Sequence, residues 1–329
     1  MSSVLVTGGA GYIGSIMTLK LLDEGERVVV IDDLSAGHRG AVPDAAAFVQ
    51  GDIGDEALVR RTISEHDVGA IMHFAGSVLV FESVADPLGY YLNNTVKSRS
   101  LVALAVDLGV PHFVFSSTAA VYGAPGDDPV REDAPLDPHS PYGTSKLVTE
   151  WMLRDTAAAN PDFSYAALRY FNVAGADPAM RAGQSSKVSS HIVKIAAEAA
   201  MGKRPGLQIY GDDYKTPDGT CVRDYIHVWD LADVHYKALA HLRQGGSSLV
   251  ANCGYSRSFS VREVVEAVKR VSGIDFPVSF AARRPGDPEL IVADSTLARE
   301  KLGWTPRFDE LDTIIRHALE WEKRLRART

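Results

Sequence analysis

Apolar and polar positions follow two periods along the first half of the chain. Val4-Leu5-Val6 is a short apolar run closed by Thr7 and a glycine cluster, and it reads as a buried parallel strand. From Ile13 to Leu22 the period lengthens, with Ile13, Ile16, Met17 and Leu21 on one helical stripe. A second strand runs from Arg27 to Ile31. Residues 47–49, 70–74, 112–116 and 165–170 read as further strands, and helical patterns fall near 55–65, 90–108 and 142–159. Pro87 and Pro111 mark the approach to one of these helices and the exit from it. This alternation predicts an α/β fold, a Rossmann-type doubly wound parallel sheet with helices on both faces.

After about Asn172 the pattern changes. Residues 175–178, 183–186 and 211–219 read as loop, punctuated by Gly, Asp and Pro. The apolar run within 248–252 reads as one more strand of the main sheet. The expected division is therefore a first domain of residues 1–172 plus about 231–253. A smaller, interleaved C-terminal α/β domain would hold about 173–230 plus 254–329.

Gly8, Gly11 and Gly14 form a G-x-x-G-x-x-G turn between the first strand and the first helix. Glycine there allows a tight bend and close approach to a pyrophosphate, whose oxygens would meet the free N–H groups of the helix N-terminus. The second strand ends in Asp32. A carboxylate at that place accepts hydrogen bonds from adenosine ribose hydroxyls and repels a 2′-phosphate, which favours NAD over NADP. Asp33 reads equally as a further ribose contact or as a solvated loop acid. Strand, turn, helix, strand and acid in register are far more specific than a glycine cluster alone.

Tyr142 and Lys146 stand four residues apart, on one face of a helix. A free phenol has a pKa of about 10. A fixed ammonium nearby favours the phenolate, so the pair is a candidate base for an alcohol or sugar hydroxyl. Phe74-Ala75-Gly76, the stretch 116–123, Tyr142 to Lys146 and Arg169-Tyr170-Phe171-Asn172 all fall at strand ends or open the next helix. Doubly wound sheets bind ligands at the carboxyl ends of their strands, so Thr118, Tyr142 and Lys146 can meet over one nicotinamide ring.

These motifs resemble the extended short-chain dehydrogenase/reductase superfamily and, within it, the UDP-glucose (UDP-galactose) 4-epimerase family. The resemblance runs nearly end to end. It is most specific at 7–15, 90–94, 211–230 and 283–287, and the run from Asp218 to Val228 is close to the family signature. It implies that Tyr12, Ile13, Asp32, Asp52, Ile53, Phe74, Ala75, Gly76 and Asn93 contact NAD. Tyr142 would be the base and Lys146 its electrostatic partner, which also holds the nicotinamide ribose. Thr118 would bond the sugar 4-hydroxyl, Phe171 the cofactor and Asn172 the substrate. Arg223, Arg284 and Asp287 would hold the uridine diphosphate, with His191, Ile192, Gln208 and Tyr210 lining the same site. Structural readings stand beside these: an ion pair of Arg223 with Asp224 or Asp230, a strand-end hydroxyl for Thr118, a turn cap for Asp52. Tyr170 and Tyr225 read as buried aromatics at domain contacts.

The activity implied is reversible C4 epimerisation of UDP-glucose and UDP-galactose through a 4-keto sugar, with transient hydride transfer to bound NAD+. A 4,6-dehydratase needs an acid and a base just after Thr118, where this chain has Ala119 and Ala120. Ile291 occupies a family position whose bulk limits room at the sugar 2-substituent, which leaves UDP-N-acetylhexosamines and UDP-pentoses as alternative substrates. A non-catalytic NAD-sensing regulator on the same fold is the alternative from another class. Val78 stands where some relatives carry a lysine near the cofactor.

With 34 Lys and Arg against 42 Asp and Glu, the net charge of −8 argues against nucleic acid or an anionic membrane as the main partner. No stretch approaches the roughly 20 apolar residues of a membrane span. Cys221 and Cys253 read as free thiols in a reducing cytosol, which predicts a cytoplasmic protein. The ten histidines show no metal-binding spacing. The resemblance also implies a homodimer built on the helices at 90–108 and 142–159.

Overall fold

The structure is a computed structural model that describes residues 2–126, 129–186, 189–284 and 287–327. The first half runs β1 (Ser3–Thr7), α1 (Tyr12–Asp23), β2 (Val28–Asp32), β3 (Ala47–Gln50), α2 (Glu56–Glu65) and β4 (Val68–His73). It continues through α3 (Val80–Ala85), α4 (Pro87–Tyr90), α5 (Lys97–Asp107), β5 (His112–Thr118), α6 (Pro141–Ala159) and β6 (Ser164–Tyr170). There follow β7 (Asn172–Ala174), α7 (Ile192–Ala200), β8 (Leu207–Tyr210), β9 (Val222–His227), α8 (Val228–Arg243) and β10 (Leu249–Cys253). The chain closes with β11 (Ser258–Ser260), α9 (Val261–Ser272), β12 (Val278–Ala281), β13 (Leu290–Ile291), α10 (Thr296–Leu302) and α11 (Leu311–Arg326).

Seven strands form one sheet in the order β10-β6-β5-β4-β1-β2-β3, every neighbour parallel. Side chains alternate between two apolar layers, as a period of two requires. Val4, Val6, Val28, Val30 and Met72 pack with Ile16 and Met17 of α1 and Leu231 and Leu239 of α8. Leu5, Val29, Ile31, Ile71 and Phe113 pack with Val59 and Ile63 of α2 and Leu101 of α5. β1 and β2 are buried along their whole length, which is why they appear as unbroken apolar runs. From β1 the chain moves outward to β2 and β3. It then returns to β4 on the other side of β1 and moves outward again. The crevice where these two directions part, at the ends of β1 and β4, is the switch point of the fold.

Two local readings are corrected. Helix α1 has no single apolar stripe: Gly14 through Leu21 are all buried, because α8 packs along α1 as well as against the sheet. Lys20 tolerates this by pairing with Glu24 at 2.7 Å and Asp233 at 2.9 Å. The helix expected at 90–108 starts earlier, at Pro87 with Asp86 as its cap, and passes through a π-helical turn at Tyr91–Val96 before α5. A π turn shifts the register of the face it belongs to, and such turns gather at functional sites.

Beyond β6 the chain builds two small sheets. In one, β9 pairs with β7, β11 and β13; in the other, β8 pairs with β12. β7 follows β6 almost directly, and Asn172 pairs with Tyr225, so the end of the main sheet and the second sheet meet at the 170–172 corner. Tyr225 is buried there. Among the described residues, no helix is long and apolar enough to cross a membrane.

Candidate active site

The glycine turn sits at the switch point. Gly8 has φ +69°, and a Cβ on it would stand 2.6 Å from Ala75 N. A Cβ on Gly14 would lie 2.2 Å from Gly8 O, so the turn and the first coil of α1 close on each other only without side chains. Gly11 caps α1 with no side-chain hydrogen bond, which leaves the N–H groups of the first helical turn to an outside acceptor. Asp32 is buried; Oδ2 accepts from Ala10 N and Oδ1 from Leu34 N, each at 2.8 Å. Each oxygen keeps capacity for a further donor. Burial raises the carboxyl above its usual range against the pull of these two N–H groups. Asp33 is exposed and turns to Ser35, whose N and Oγ donate to it at 2.9 and 2.6 Å. The turn, the uncapped helix and the acid fit a dinucleotide.

Gly14→Ala is expected to cut retained NAD at least about ten-fold, since relieving that overlap displaces the turn and about 1.4 kcal/mol is ten-fold in affinity. Cofactor absorbance after gel filtration of the purified variant and the wild type measures it. NAD retained at the wild-type level would show that the turn does not hold the cofactor.

The other nucleotide-side residues take varied places. Tyr12 donates its hydroxyl to Gly175 O at 2.7 Å, bridging α1 to the segment after β7. Ile13 packs partly buried against the first apolar layer, and Ile53 is buried in the second. Asp52 does cap its own turn, accepting from Gly54 N at 2.7 Å, and it also pairs with Lys97 at 2.5 Å. Phe74 follows β4 directly, its N–H bonded to Thr7 O, and its ring meets His235 at 5.0 Å. Ala75 N donates to Thr7 Oγ1, and Asn93 donates to Ser77 Oγ at 2.9 Å.

Tyr142, Lys146 and Thr118 converge. β5 delivers Thr118 at its carboxyl end, and α6 presents Tyr142 and Lys146 in its first two turns, all three buried. Pro141 at the first helical position and Ser140 as the cap, accepting from Gly143 N, start that helix. Thr118 accepts from Ala120 N at 3.1 Å, the bond of a strand-end hydroxyl, and its side chain also acts on the Tyr142 phenol, favouring the phenolate. Lys146 Nζ donates to Ser116 O at 3.0 Å and lies 4.9 Å from the Phe115 ring centre.

The electrostatics reverse one expectation. Burial pushes the Tyr142 phenol well above its ordinary value, the neighbouring Tyr170 adds to this, and only the Thr118 hydroxyl pulls against it. Burial also lowers the Lys146 ammonium, to about 8. Four-residue spacing brings the pair onto one helix face, but removing both groups from water costs the phenolate more than the ammonium returns. The protein alone holds Tyr142 as a phenol.

At the far end, Arg223 is not paired with Asp224 or Asp230. It donates to the carbonyls of Val222 (2.8 Å), Pro288 (2.6 Å) and Glu289 (3.3 Å). Asp224 instead accepts from Tyr255 N and Ser256 N, and Asp230 from Tyr255 Oη, Arg307 N and Phe308 N. Among the described residues these bonds use three of the five N–H donors of Arg223. Arg284 lies 3.8 Å from the ring centre of Tyr210, a cation–π contact, and a guanidinium is the group that forks onto phosphate. Gln208, on the same short strand as Tyr210, is exposed, and Asp287 is exposed beside Arg284. Pro285 and Gly286 of the 283–287 stretch lie outside the described residues. His191 opens α7 with Ile192 next to it; its ring sits 3.2 Å from Gln184 Nε2, and burial keeps the imidazole below its usual pKa.

The two ends are joined by one apolar cluster. Phe171 and Ile291 pack with Ala119, Val121 and Leu147, next to Thr118 and Lys146. Ile291 pairs with Arg223 across β13 and β9, and Asn172 follows Phe171. Sequence reading missed the supports of this arrangement. Glu150, one turn beyond Lys146, is buried against Arg169; Asn94 joins Ser77 to Ser145; Gly9 lies hard against Val30. The glycine doublet was a visible signal for Gly9. For the others the partners stand far apart in the chain.

A parallel Rossmann-type sheet whose switch point holds a dinucleotide turn beside a Thr-Tyr-Lys group defines an NAD-dependent enzyme of the short-chain dehydrogenase/reductase type. The model of the NAD dependent epimerase/dehydratase family matches residues 4–254, and the chain belongs to that family. It is 58% identical to the UDP-glucose 4-epimerase of Azospirillum brasilense, over 98% of this chain and 92% of that protein. The UDP-glucose 4-epimerase of Brucella ovis, solved in complex with NAD, superposes with a TM-score of 0.94 at 44% identity over 97% of this chain and 98% of that one. The Bifidobacterium longum UDP-glucose 4-epimerase, in complex with NAD+ and UDP, gives 0.93 at 36% identity over 98% of each chain. The resemblance read from the motifs, the Rossmann-type fold and NAD as cofactor are borne out.

Proposed function

We propose that this chain interconverts UDP-glucose and UDP-galactose by inverting C4 of the hexose. The observation that carries the reading is the buried convergence of Thr118, Tyr142 and Lys146 beside the glycine turn, with Ala119 and Ala120 where a dehydratase needs an acid and a base. Bound NAD+ supplies a hydride acceptor and a positive charge. Tyr142 takes the proton of the C4 hydroxyl, which Thr118 orients, and Lys146 supports the phenolate. Arg223 and Arg284 hold the diphosphate by forked bonds while the 4-keto sugar turns about its link to it. Tyr142 then returns the proton as the same hydride comes back to the opposite face of C4, so no net oxidation results. Gripping the nucleotide while freeing the sugar explains why the cations sit on β9 and the 283–287 segment, apart from the base on α6. Burial of the site keeps water from the keto sugar.

The test is conversion of UDP-galactose by purified protein without added NAD. UDP-glucose appearing at a rate proportional to protein supports an epimerase with retained cofactor, and no conversion even with NAD supplied overturns it. UDP-N-acetylgalactosamine in the same assay reads the pocket beside Ile291.

We further propose the division into a cofactor domain (1–172 and about 231–253) and a substrate domain (about 173–230 and 254–329). It is supported by β10 pairing with β6 in the main sheet while β9 anchors the second. The buried, unpaired Cys221 and Cys253 support a reducing, cytoplasmic setting. A homodimer is supported by Leu88, Leu92 and Val96, at four-residue spacing and 78%, 55% and 52% exposed, and by Trp151 of the adjoining α6. A ridge of that kind left in water calls for a partner, here a second copy. Leu92→Glu is expected to weaken self-association at least about a hundred-fold, since like charges would meet across the two-fold axis. Sedimentation equilibrium reads this, and an unchanged dimer would place the interface elsewhere.

A further inference from the structure

His73, the last residue of β4, is fully buried and takes no part in the steps above. Both its ring nitrogens face hydroxyls. Nδ1 is 2.7 Å from Thr7 Oγ1, and Nε2 is 2.7 Å from Ser98 Oγ. The far ends of these bonds set their direction. Ser98 Oγ donates its one proton to Asn94 O at 2.6 Å, so it can only accept from the ring, and Nε2 carries the hydrogen. Burial, with the charge of Lys146 adding to it, pushes the imidazole down to about 3, so the ring is neutral and Nδ1 is bare. Nδ1 then accepts from Thr7, whose oxygen in turn accepts from Ala75 N at 3.3 Å. One polarised line results, from Ala75 through Thr7, His73 and Ser98 to the Asn94 carbonyl.

Both ends of this line belong to the site. Thr7 closes β1 immediately before Gly8, and Ala75 follows Phe74. Asn94, buried in the π-helical turn, accepts from Ser77 N at 2.7 Å, and its Nδ2 donates to Ser77 O at 2.9 Å and to Ser145 Oγ at 3.1 Å. Ser145 Oγ donates to Tyr142 O at 2.7 Å, and Thr149 of α6 also reaches Asn94 O, at 3.3 Å. The His73 ring stacks on Phe115 at 5.6 Å, the ring over which Lys146 Nζ lies. Only a neutral imidazole places a donor and an acceptor at opposite sides of one rigid ring; a carboxylate offers acceptors alone and an ammonium donors alone.

We propose that His73 is a positioning residue: held as the Nε2–H tautomer, it sets the spacing between the cofactor turn after β1 and the helix that carries Tyr142 and Lys146. This rests on the reading of the active site given above. The π turn belongs to the same device, since it aims the Asn94 carbonyl at Ser98 and its side chain at Ser77 and Ser145.

The experiment compares wild type with His73→Leu, His73→Gln, Thr7→Val and Ser98→Ala, rated per mole of NAD-loaded protein. His73→Leu is expected to lose about a hundred-fold in kcat, the order that a misplacement of about 1 Å produces, with KM for UDP-galactose within about two-fold. His73→Gln, which restores a donor and an acceptor, is expected to recover about ten-fold of that loss. The two single-link variants, which leave the ring in place, should each fall between His73→Leu and wild type. All of them turning over at the wild-type kcat, even if His73→Leu melts earlier, would overturn the proposal, because a purely structural residue lowers stability and not the rate of folded enzyme. Nitrogen spectra of histidine-labelled wild type supply an arm that needs no activity. A protonated Nε2 with a bare Nδ1, unchanged from about pH 6 to 8, is expected; the opposite tautomer or an imidazolium would sink the relay. Wild type that fails to convert UDP-galactose would overturn the functional reading, and those spectra would still decide the relay.

Discussion

Tyr142→Phe is expected to lower kcat about a thousand-fold, within the 10²–10⁴ range that one positioned acid–base group contributes. The change removes one oxygen and keeps the ring, so the packing of the buried side chain is conserved. Thr118 keeps its bond from Ala120 N. KM should move little, because the proposed diphosphate grip lies on β9 and the 283–287 segment. Retained NAD should match wild type, since the glycine turn is untouched. Steady-state turnover of UDP-galactose, beside cofactor content and a melting curve, separates these effects. A variant that keeps a tenth of wild-type kcat would remove Tyr142 as the base. The buried phenol makes this a sharp test: the surroundings oppose its ionisation, so the base works only when bound groups tip the balance.

Arg169→Met should cost about 3–5 kcal/mol of stability, the usual penalty for breaking a buried ion pair from one side. Arg169 and Glu150 are 4% and 3% exposed. Nη2 meets Oε2 at 2.6 Å, and Nε lies 3.0 and 3.2 Å from the two carboxylate oxygens. Arg169 Nη1 also donates to Tyr122 Oη at 2.8 Å, which donates to Asn252 Oδ1 at 2.7 Å. Removing the guanidinium strands Glu150 with the Ser117 hydroxyl as its remaining described partner. Adding Glu150→Gln should recover part of the loss, because the buried charge is then gone. Urea unfolding of the single and double variants measures both terms. A single variant within about 1 kcal/mol of wild type would mean that water or rearrangement satisfies Glu150. Activity should suffer too, as this pair pins α6 to β6 one turn from Lys146 and Ser117 precedes Thr118.

Most of the fold was open to reading from the chain. Buried parallel strands leave unbroken apolar runs, so β1, β2, β4, β5 and β6 were found within a residue or two of their ends. β10 was recognisable by the same sign despite lying far along the chain. Helix α1 was misjudged because a second helix covers it, and periodicity records only whether a face is apolar, not what packs there. The π turn left no mark, since one extra residue in a coil does not change composition.

The residues of the site divide in the same way. Gly8, Gly11 and Gly14, Asp32, and Tyr142 with Lys146 were legible because each relation spans a few residues, and a short span in a helix or turn has nearly one geometry. Relations across long spans were decided by the folded sheet. Only parallel register brings Thr7 beside His73, and Arg169 meets Glu150 only when β6 and α6 pack. Arg223 was expected to face a diphosphate or a nearby acid. The acid pairing does not form: the 288–289 backbone carbonyls take part of its fork without neutralising it, which suits the proposed diphosphate role. Charge states lay furthest from the sequence. Spacing put an ammonium near a phenol, but burial moves both groups toward their neutral forms, and burial is a property of the whole packed molecule.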